Sequence, residues 1–489
     1  MRGHNNRQFI RRLGRGLAAV GMAVLLAGPA IPASPAGAAE FEVCPTCTVT
    51  SLADAVAVAE PGATITVRGG TYPGGLVISK SVTLVGVDNP VIDGQEQGTL
   101  ISAKDADLTI SGFTLRSTGS NHDREDSAIL VENGKATITD NRIEDALFGI
   151  YLKTAHGSVI RDNTILAKPV DIAMRGDGIK IWYCDDVLVE NNEASDGRDI
   201  ILWYSNRGVV RGNDFNRERY GLHLMFSNDI RIENNSLNEN SIGLFIMYSR
   251  NPLVIGNTLS NNHGPSGGGM GLKDVDNAVV EGNRFVNNQV GAQIDTSPRE
   301  MGIENYWKDN VFAFNHTAVA LQPSVRHNTF TGNNFIDNGQ HVSIVGGGDL
   351  KDITWAVDGR GNYWSDYAGY DANGDGVGDV PYRSQRLFDS LLDEQPSLRL
   401  FLFSPAAMAV DFAAKALPSV RPQTKLEDPH PLVNPVQSTL LPNATTAGNR
   451  TRVLTGATGL LFAIPAIVVV GWGRPRRGPR RSKWGASTT

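Results

Sequence analysis

The chain is poor in the features that mark several common protein classes. Its 489 residues include only three cysteines, too few for the disulfide framework of a small secreted domain. The formal net charge is −6, and without a basic excess there is no reason to expect nucleic acid as a partner. The sequence also lacks heptad repeats, a phosphate-binding glycine loop, a zinc-ligand spacing and a Ser/His/Asp arrangement for nucleophilic catalysis.

A repeat of about 22 residues dominates the middle of the chain. Short apolar rows such as Gly178-Ile-Lys-Ile-Trp-Tyr-Cys184 return in successive periods, and they begin at Gly178, Asp199, Gly221, Gly243, Gly269 and Gly291. A polar residue followed by asparagine keeps the same period at Asn141, Asn163, Asn191, Asn213, Asn235, Asn257, Asn283, Asn310 and Asn333. A fixed period of this length is typical of a solenoid.

Each period holds two or three strands of about five residues, separated by Gly-Asn or Asn-Asn corners. Asparagine and glycine tolerate the left-handed backbone angles that tight corners require. The fixed leucine spacing of leucine-rich repeats is absent. We therefore predict an all-β fold, a parallel β-helix of about 22 residues per turn over residues 40–340, with a short capping helix near Leu52–Ala59.

The first 39 residues resemble an export signal. Five arginines precede the apolar run Leu17–Ala27, and the small residues Ala36–Ala39 offer a cleavage site. An uncleaved anchor is the alternative. Either way, the remainder of the protein is expected outside the cytoplasm.

The C-terminal region contains a candidate membrane span. We predict a cap over residues 341–420 and a linker rich in Pro, Thr and Asn over residues 421–452. Residues 453–472 are mostly apolar and uncharged, and the arginine-rich segment 473–489 follows. Length and the positive-inside rule predict one transmembrane helix with a basic cytoplasmic tail, which would anchor the protein in the cytoplasmic membrane.

The rows predict which side chains face outward. Second and fourth row positions are aliphatic and should fill the interior, whereas third and fifth positions should face outward. The outward positions include apolar side chains in neighbouring turns, at Trp182, Trp203, Met225, Phe245 and Met247. Such a stripe indicates a partner surface or ligand groove, with Trp182, Trp203 and Phe245 as candidate contacts, unless another loop covers it.

Two kinds of metal ligand occur in the sequence. His223, Met225 and Met247 lie within the stripe, and imidazole with thioether suits Cu(I), although methionine also forms adaptable docking surfaces without metal. After the repeats, Asp371, Asn373, Asp375 and Asp379 match the first nine positions of a calcium loop. The expected glutamate at position twelve is replaced by Tyr382, so a metal-free turn is the alternative.

The cysteines leave several interpretations open. Cys44 and Cys47 form a C-x-x-C that fits a local disulfide, a redox pair or half of a metal site. Cys184 ends its row where Ser205, Ser227 and Ser249 end theirs. It is either a soft ligand or a small buried side chain.

Acidic residues on corners leave a second function open. The segment Asn121–Asp126, and the stretches Arg175–Asp177 and Asp196–Asp199, could serve a polysaccharide lyase or epimerase. In that case the tryptophan stripe would stack sugars. Structural Asp–Arg pairs explain the same residues. A purely structural surface solenoid is the third interpretation.

Several long motifs resemble the NosD family over about residues 52–435. They include Arg116–Asp126, Arg175–Tyr183, Arg219–Met225, Gly243–Tyr248 and Gly359–Asp366 with the acidic loop that follows. The resemblance implies a right-handed β-helix that performs no catalysis and acts as an exported maturation factor for nitrous oxide reductase. Implied partners are the ATPase and permease of an ABC transporter, a copper chaperone lipoprotein and the reductase. Copper is the implied metal.

Overall fold

The computed structural model describes residues 40–437 except 265–266, 348–349, 351, 385, 403 and 417–423. Short strands stack into three long parallel sheets of 14, 12 and 13 strands, which run side by side along the molecule. Each complete turn contributes one strand to each sheet, so strands that are neighbours in a sheet lie one turn apart in sequence. The predicted all-β parallel solenoid is confirmed.

Sheet 1 consists of Glu40–Val43, Ala63–Arg68, Val82–Val87, Leu108–Ser111, Ala136–Thr139, Val159–Arg161, Leu188–Glu190, Val209–Arg211, Arg231–Glu233, Leu253–Ile255, Val279–Glu281, Asn305–Lys308, Asn328–Thr331 and Ile353–Thr354. Sheet 2 consists of Leu76–Ile78, Ile101–Lys104, Ser127–Glu132, Phe148–Lys153, Ile179–Trp182, Asp199–Trp203, Tyr220–Met225, Ile242–Met247, Gly268–Lys273, Val290–Asp295, Thr317–Leu321 and Gln340–Ile344. Sheet 3 consists of Thr71–Pro73, Val91–Asp93, Thr114–Arg116, Arg142–Ala146, Thr164–Ala167, Glu193–Ser195, Asp214–Asn216, Ser236–Asn238, Thr258–Ser260, Arg284–Val286, Val311–Ala313, Asn334–Ile336 and Tyr363–Trp364.

The interior of the solenoid is filled by columns of apolar side chains. Row positions two and four of sheet 2, such as Ile179 and Ile181, are fully buried. Sheet 3 adds a column of aromatic rings near the C-terminal end, where Phe285, Phe312, Phe335 and Trp364 stack with centroids 4.3–5.2 Å apart. Burial of these columns supplies the main stabilisation of the fold.

A buried asparagine ladder ties successive turns together at one corner. The Asn213 side chain accepts from the backbone N–H of Asn192 at 2.8 Å and donates to the Val189 carbonyl at 3.0 Å. The same pattern joins Asn141, Asn163, Asn192, Asn213, Asn235, Asn257, Asn283, Asn310, Asn333 and Asn362. The asparagines that mark the repeat in the sequence are the members of this ladder except in one turn. There the buried member is Asn192, and Asn191 has a positive φ of 53°.

Cys184 belongs to a second ladder, made of hydroxyl groups. The backbone N–H of Cys184 donates to the Ser205 hydroxyl at 3.0 Å, and Ser205 and Ser227 continue this pattern to Ser249. Cys184 is fully buried, and desolvation raises the pKa of its thiol to about 11. Because a metal ligand must be a thiolate, this environment favours the buried-filler interpretation.

Both ends of the described solenoid are covered. At the N-terminal end, helix α1 (Leu52–Val58) buries Leu52, Ala55 and Val56 against the first turns, which confirms the capping helix. The first strand ends at a disulfide between Cys44 and Cys47, so the C-x-x-C is a local disulfide.

At the C-terminal end, the sheets continue past residue 340 to Tyr363–Trp364. They are followed by a small sheet of Tyr382–Arg383 and Glu427–Asp428, and by helices α2 (Leu387–Glu394) and α3 (Pro405–Ala416). A 3-10 helix, Pro396–Phe401, joins the two helices, and another 3-10 helix, Ile172–Met174, lies within the solenoid.

One buried carboxylate fastens α2 to the last rung of sheet 2. Asp393 accepts from the Gln340 side chain at 3.0 Å and from the Ser343 hydroxyl at 2.8 Å, and it pairs with Lys425. Since a buried carboxylate is stable only when it is paired and hydrogen-bonded, these contacts hold the C-terminal cap in one position.

The predicted signal peptide and the predicted span at residues 453–472 lie outside the described residues. Within the described ranges, no helix combines the length and apolar character needed to cross a membrane.

The asparagine ladder generates a stability prediction. Asn213→Ala would leave the Asn192 N–H and the Val189 carbonyl buried without their partners, and each such loss costs about 1–3 kcal/mol. We expect the free energy of unfolding, measured by urea denaturation, to fall by about 3 kcal/mol. The matched control is Asn216→Ala in the same turn, where the side chain is half-buried and faces outward. Equal losses in the two variants would contradict this role for the ladder.

Candidate functional site

The outer face of sheet 2 carries two parallel columns of side chains. The third-position column pairs Tyr151, Lys180, Ile201, His223 and Phe245 from rung to rung, and the fifth-position column pairs Lys153, Trp182, Trp203, Met225 and Met247. The register places all the predicted copper and partner residues of the stripe on one face. We call the side chains of these two columns the outer stripe.

Part of the outer stripe is covered. Tyr151, Lys180, Ile201 and His223 are all less than 10% exposed, although their side chains point away from the solenoid interior. The segment Asn121–Asp126 covers the first rungs, because its Glu125 pairs with Lys180, whose Nζ lies 4.6 Å from the centre of the Tyr151 ring. The covering-loop alternative therefore holds for the first rungs of the third-position column, whereas Phe245 and the fifth-position column remain half-exposed.

His223 is held through one ring nitrogen, and its other ring nitrogen makes no hydrogen bond to the described residues. Its Nδ1 lies 3.4 Å from Oδ2 of Asp199, while its buried Nε2 has no hydrogen-bond partner among the described residues. Tyr220 contacts the ring edge-to-face at 5.0 Å, and Phe245 stacks on it at 5.9 Å. A carboxylate on one imidazole nitrogen is the arrangement that orients histidine ligands in metal sites.

The two methionines complete a set of soft donors. Met225 lies two residues after His223 on the same face, and Met247 pairs with Met225 in the next rung. Neighbouring strands are about 4.8 Å apart, so the three side chains share one small area. Both methionines are half-exposed. An imidazole nitrogen without a hydrogen-bond partner, on the same face as two thioethers, fits Cu(I) by donor type. Among the described residues, no group of three or more His, Cys, Asp or Glu side chains could hold a metal ion.

Asp–Arg pairs occur in successive turns at the corner beside the outer stripe. Arg198 holds Asp177 through two hydrogen bonds of 2.9 and 3.1 Å, and Arg219 holds Asp199 with a contact of 2.8 Å. Burial acts to raise the pKa of Asp199, but hydrogen bonds from His223 and Arg219 more than offset it and lower that pKa below its usual value. Asp199 therefore presents a negative charge to the His223 ring.

Glu218 is a buried acid that sequence reasoning missed. Its backbone N–H donates to Asn240 at 2.9 Å, so Glu218 occupies the first position of a second asparagine ladder. Desolvation raises its pKa to about 8. The ladder members Asn240 and Asn262 donate to backbone carbonyls of the preceding turn. Among the described residues, the Glu218 carboxyl makes no such contact, and burial is what favours its neutral form.

A stack of four aromatic rings stands at the corner beside the outer stripe. Tyr183, Tyr204, Phe226 and Tyr248 stack with centroids 4.8–4.9 Å apart. We call them the aromatic corner stack. Each has a φ near +52°, a left-handed conformation that costs a side chain about 1–2 kcal/mol, and neighbouring turns place Thr154, Asp274 and Thr296 at the equivalent corner.

The aromatic corner stack is partly exposed. Tyr183 is 47% exposed and Phe226 is 36% exposed, whereas Tyr204 and Tyr248 are half-buried. Exposed aromatic side chains that lie together mark a candidate interaction surface. The sequence did contain the signal, because the sixth position of each row is aromatic in four successive turns.

The calcium-like loop is stabilised by its own backbone. Asp371 accepts from the N–H groups of Gly374 and Gly376 at 2.7 and 2.9 Å, and Asp379 accepts from Ala372 at 2.6 Å. The backbone N–H of Gly376 is the main reason that the pKa of Asp371 is lowered. These contacts explain the acidic residues as turn formers. Calcium binding by the loop stays a prediction.

The pKa of Glu218 predicts how stability depends on pH. Its folded-state pKa of about 8 exceeds its ordinary value of 4.5, so between these values the folded state binds more protons than the unfolded state. Its contribution is therefore fully present below pH 4.5 and is lost as pH rises toward 8, by up to about 1.4 kcal/mol per pH unit.

Glu218→Gln removes this titration. Urea unfolding at pH 5, 6.5 and 8 should show that wild-type stability falls more steeply with pH than that of Glu218→Gln. The exposed Glu60 is the matched site, and Glu60→Gln should leave the wild-type slope unchanged. Identical slopes for wild type and Glu218→Gln would show that Glu218 is ionised in the folded protein.

The chain is similar in fold to carbohydrate-active solenoids. The A-module of mannuronan C-5 epimerase AlgE6 from Azotobacter vinelandii is 13% identical with a TM-score of 0.43, and the match covers 62% of this chain and 91% of that one. A GH87 α-1,3-glucanase from Streptomyces thermodiastaticus is 15% identical with a TM-score of 0.48, covering 68% and 70%. Likeness at this level carries no argument about function.

Proteins related in sequence identify the family of this chain more specifically than the similar folds do. The family model "Periplasmic copper-binding protein (NosD)" matches residues 157–369. A "Probable ABC transporter binding protein NosD" from Pseudomonas aeruginosa is 31% identical over 379 residues, which covers 74% of this chain and 86% of the relative. One of the same description from Stutzerimonas stutzeri is 28% identical over 385 residues, covering 74% and 85%. On this similarity, the chain belongs to the NosD family.

Proposed function

We propose that this protein is a non-catalytic accessory factor outside the cytoplasm, which binds Cu(I) at His223, Met225 and Met247. It receives copper from a chaperone lipoprotein and works with an ABC transporter in assembling the copper centre of nitrous oxide reductase. The observation that carries the proposal is the His223 ring, which is held by Asp199, has a buried Nε2 without a hydrogen-bond partner among the described residues, and lies on the same face as Met225 and Met247.

The surroundings of His223 support metal binding over a structural role. A histidine that serves only packing would be expected to satisfy both ring nitrogens, because an unpaired buried polar group costs about 1–3 kcal/mol. Here Asp199 holds Nδ1, and the ionised carboxylate makes Nε2 a better electron donor. Bound copper would be held by this nitrogen and the two sulfur atoms, and soft thioethers favour the Cu(I) state.

The apolar surroundings support transfer of copper between proteins. Met225 and Met247 are half-exposed, so a donor protein can reach them directly. Trp182, Trp203 and Phe245 flank them, and the aromatic corner stack extends the same surface. The indole nitrogens of Trp182 and Trp203 are buried and have no hydrogen-bond partner among the described residues. Aromatic side chains of this kind are enriched at protein interfaces, and we assign this surface to the copper chaperone.

The acidic side chains along this face argue against a polysaccharide lyase or epimerase. Such an enzyme needs a carboxylate or base free to act on the substrate. Along this face Asp177 is held by Arg198, Asp199 by Arg219 and Glu125 by Lys180. These pairs support a binding surface over a catalytic groove.

Loss of the donors should abolish tight copper binding. Anaerobic Cu(I) titration of the purified full chain in detergent, with a chromophoric chelator as competitor, should give one tight site. The variant His223→Ala/Met225→Ala/Met247→Ala should bind at least 100-fold more weakly, because it has lost all three donors.

The matched control changes the same residue types elsewhere, in His263→Ala/Met174→Ala/Met301→Ala. This variant should bind like wild type. If wild type binds no Cu(I), or both triple variants lose binding equally, the ligand assignment is wrong and the outer stripe is a docking surface alone.

The docking role can be separated from copper binding. Trp203→Ala/Phe226→Ala should weaken the interaction with the purified, copper-loaded chaperone at least tenfold, measured by calorimetry, because interface aromatics contribute much of the binding free energy. The Cu(I) affinity of this variant should be unchanged. Tyr370→Ala, which removes a 63% exposed aromatic ring in the cap, is the control. Undiminished chaperone binding by the double variant would remove the chaperone from this surface.

A further inference from the structure

Large apolar side chains are exposed on two consecutive helices of the C-terminal cap. In the 3-10 helix Pro396–Phe401, Leu400 is 90% exposed and Phe401 is 50% exposed; in α3, Met408 is 72% and Phe412 is 74% exposed. Met408 and Phe412 are four residues apart, so they lie on one face of α3. We call these four side chains the cap face. Exposed apolar groups of this size mark an interaction surface.

These side chains cannot be accommodated by the cap itself. The inner side of the same helices already forms a small core of Phe388, Leu392, Leu402 and Ala407. The orientation of α3 is fixed by Asp411, which accepts from the N–H of Phe388 at 2.9 Å and from Arg386 at 3.2 Å. Turning the cap face inward would break these contacts and displace the small core.

The exposed face of α3 indicates the kind of surface that it contacts. Met408 and Phe412 are both more than 70% exposed, and Asp411, the acidic residue of this helix, is engaged by Arg386. An apolar face on an amphipathic helix is typical of helices that lie in the headgroup region of a membrane.

The course of the chain places the cap near the bilayer. The described chain ends at residue 437, just after Val436 exchanges hydrogen bonds of 3.0 and 2.8 Å with Asn334 at the C-terminal end of the solenoid. Only about 15 residues separate this point from the predicted span at residues 453–472, and these can extend at most about 50 Å. A span in the membrane would thus keep this end of the molecule close to the lipid.

We propose that the cap face inserts into the headgroup region of the membrane, on the side where the solenoid lies. The predicted span and the cap face are then two separate contacts, which together restrict how the solenoid can orient. The rung of His223 lies five rungs from the last strand of sheet 2, or about 24 Å at 4.8 Å per rung. The contact is independent of copper binding.

The test places an environment-sensitive fluorophore on the cap face. In the full chain, Met408→Cys creates a single reactive thiol, because Cys44 and Cys47 form a disulfide and Cys184 is buried. The labelled chain is reconstituted into vesicles of phosphatidylcholine and phosphatidylglycerol. We expect emission from position 408 to shift to the blue, and brominated lipids to quench it several-fold.

Two controls make the outcome specific. The same label at Met301→Cys, on a solenoid residue that is 95% exposed, should remain water-like and unquenched. Adding Leu400→Asp/Phe412→Asp should return the label at position 408 to water-like emission. Both side chains are already exposed, so these substitutions should leave the fold intact. Water-like emission from position 408 in the labelled chain that retains Leu400 and Phe412 would overturn the proposal. A blue shift without quenching by lipid-borne bromine would also overturn it, since the cap face would then lie against protein.

Discussion

Stacking of turns in register is the constraint on which the rest of this structure depends. Every strand forms hydrogen bonds to the strands one turn before and after it, so residues at one row position stand in a column about 4.8 Å apart. The buried asparagine ladder enforces this alignment, because each side chain joins backbone groups of neighbouring turns. Turns of different length are accommodated at corners. The turn that ends at Gly269 is longer than its neighbours, and its additional residues lie between the strands Thr258–Ser260 and Gly268–Lys273.

Columns convert a repeated sequence into a surface of uniform chemistry. Interior columns are aliphatic or aromatic, whereas the outer stripe collects His223 and the two methionines from only two rungs. The aromatic corner stack collects four rings at one corner, where the backbone of the neighbouring turns is left-handed as well. Three ring contacts, worth about 0.5–1.5 kcal/mol each, stabilise the stack. Tyr183 and Phe226 remain exposed on this surface.

The protein presents two unlike surfaces at different places. The outer stripe combines soft donors with aromatic rings and lies in the middle of the solenoid, where another protein can approach it. The cap face is apolar and lies at the end from which the chain continues toward the predicted span. Asp393 holds α2 on the last rung of sheet 2 and Asp411 holds α3 on α2, so an orientation imposed on the cap is transmitted to the outer stripe.

The sequence by itself determined the solenoid, its interior columns and the identity of the outward residues, because a period of two along a strand and of about 22 along the chain leaves one consistent arrangement. The family followed from motifs in that repeat. Only the tertiary structure decided that Asp199 contacts His223, that Glu125 covers Lys180, that Glu218 is a buried acid and that the cap face is exposed. These depend on corners and on chain segments far apart in sequence, whose contacts no local periodicity encodes.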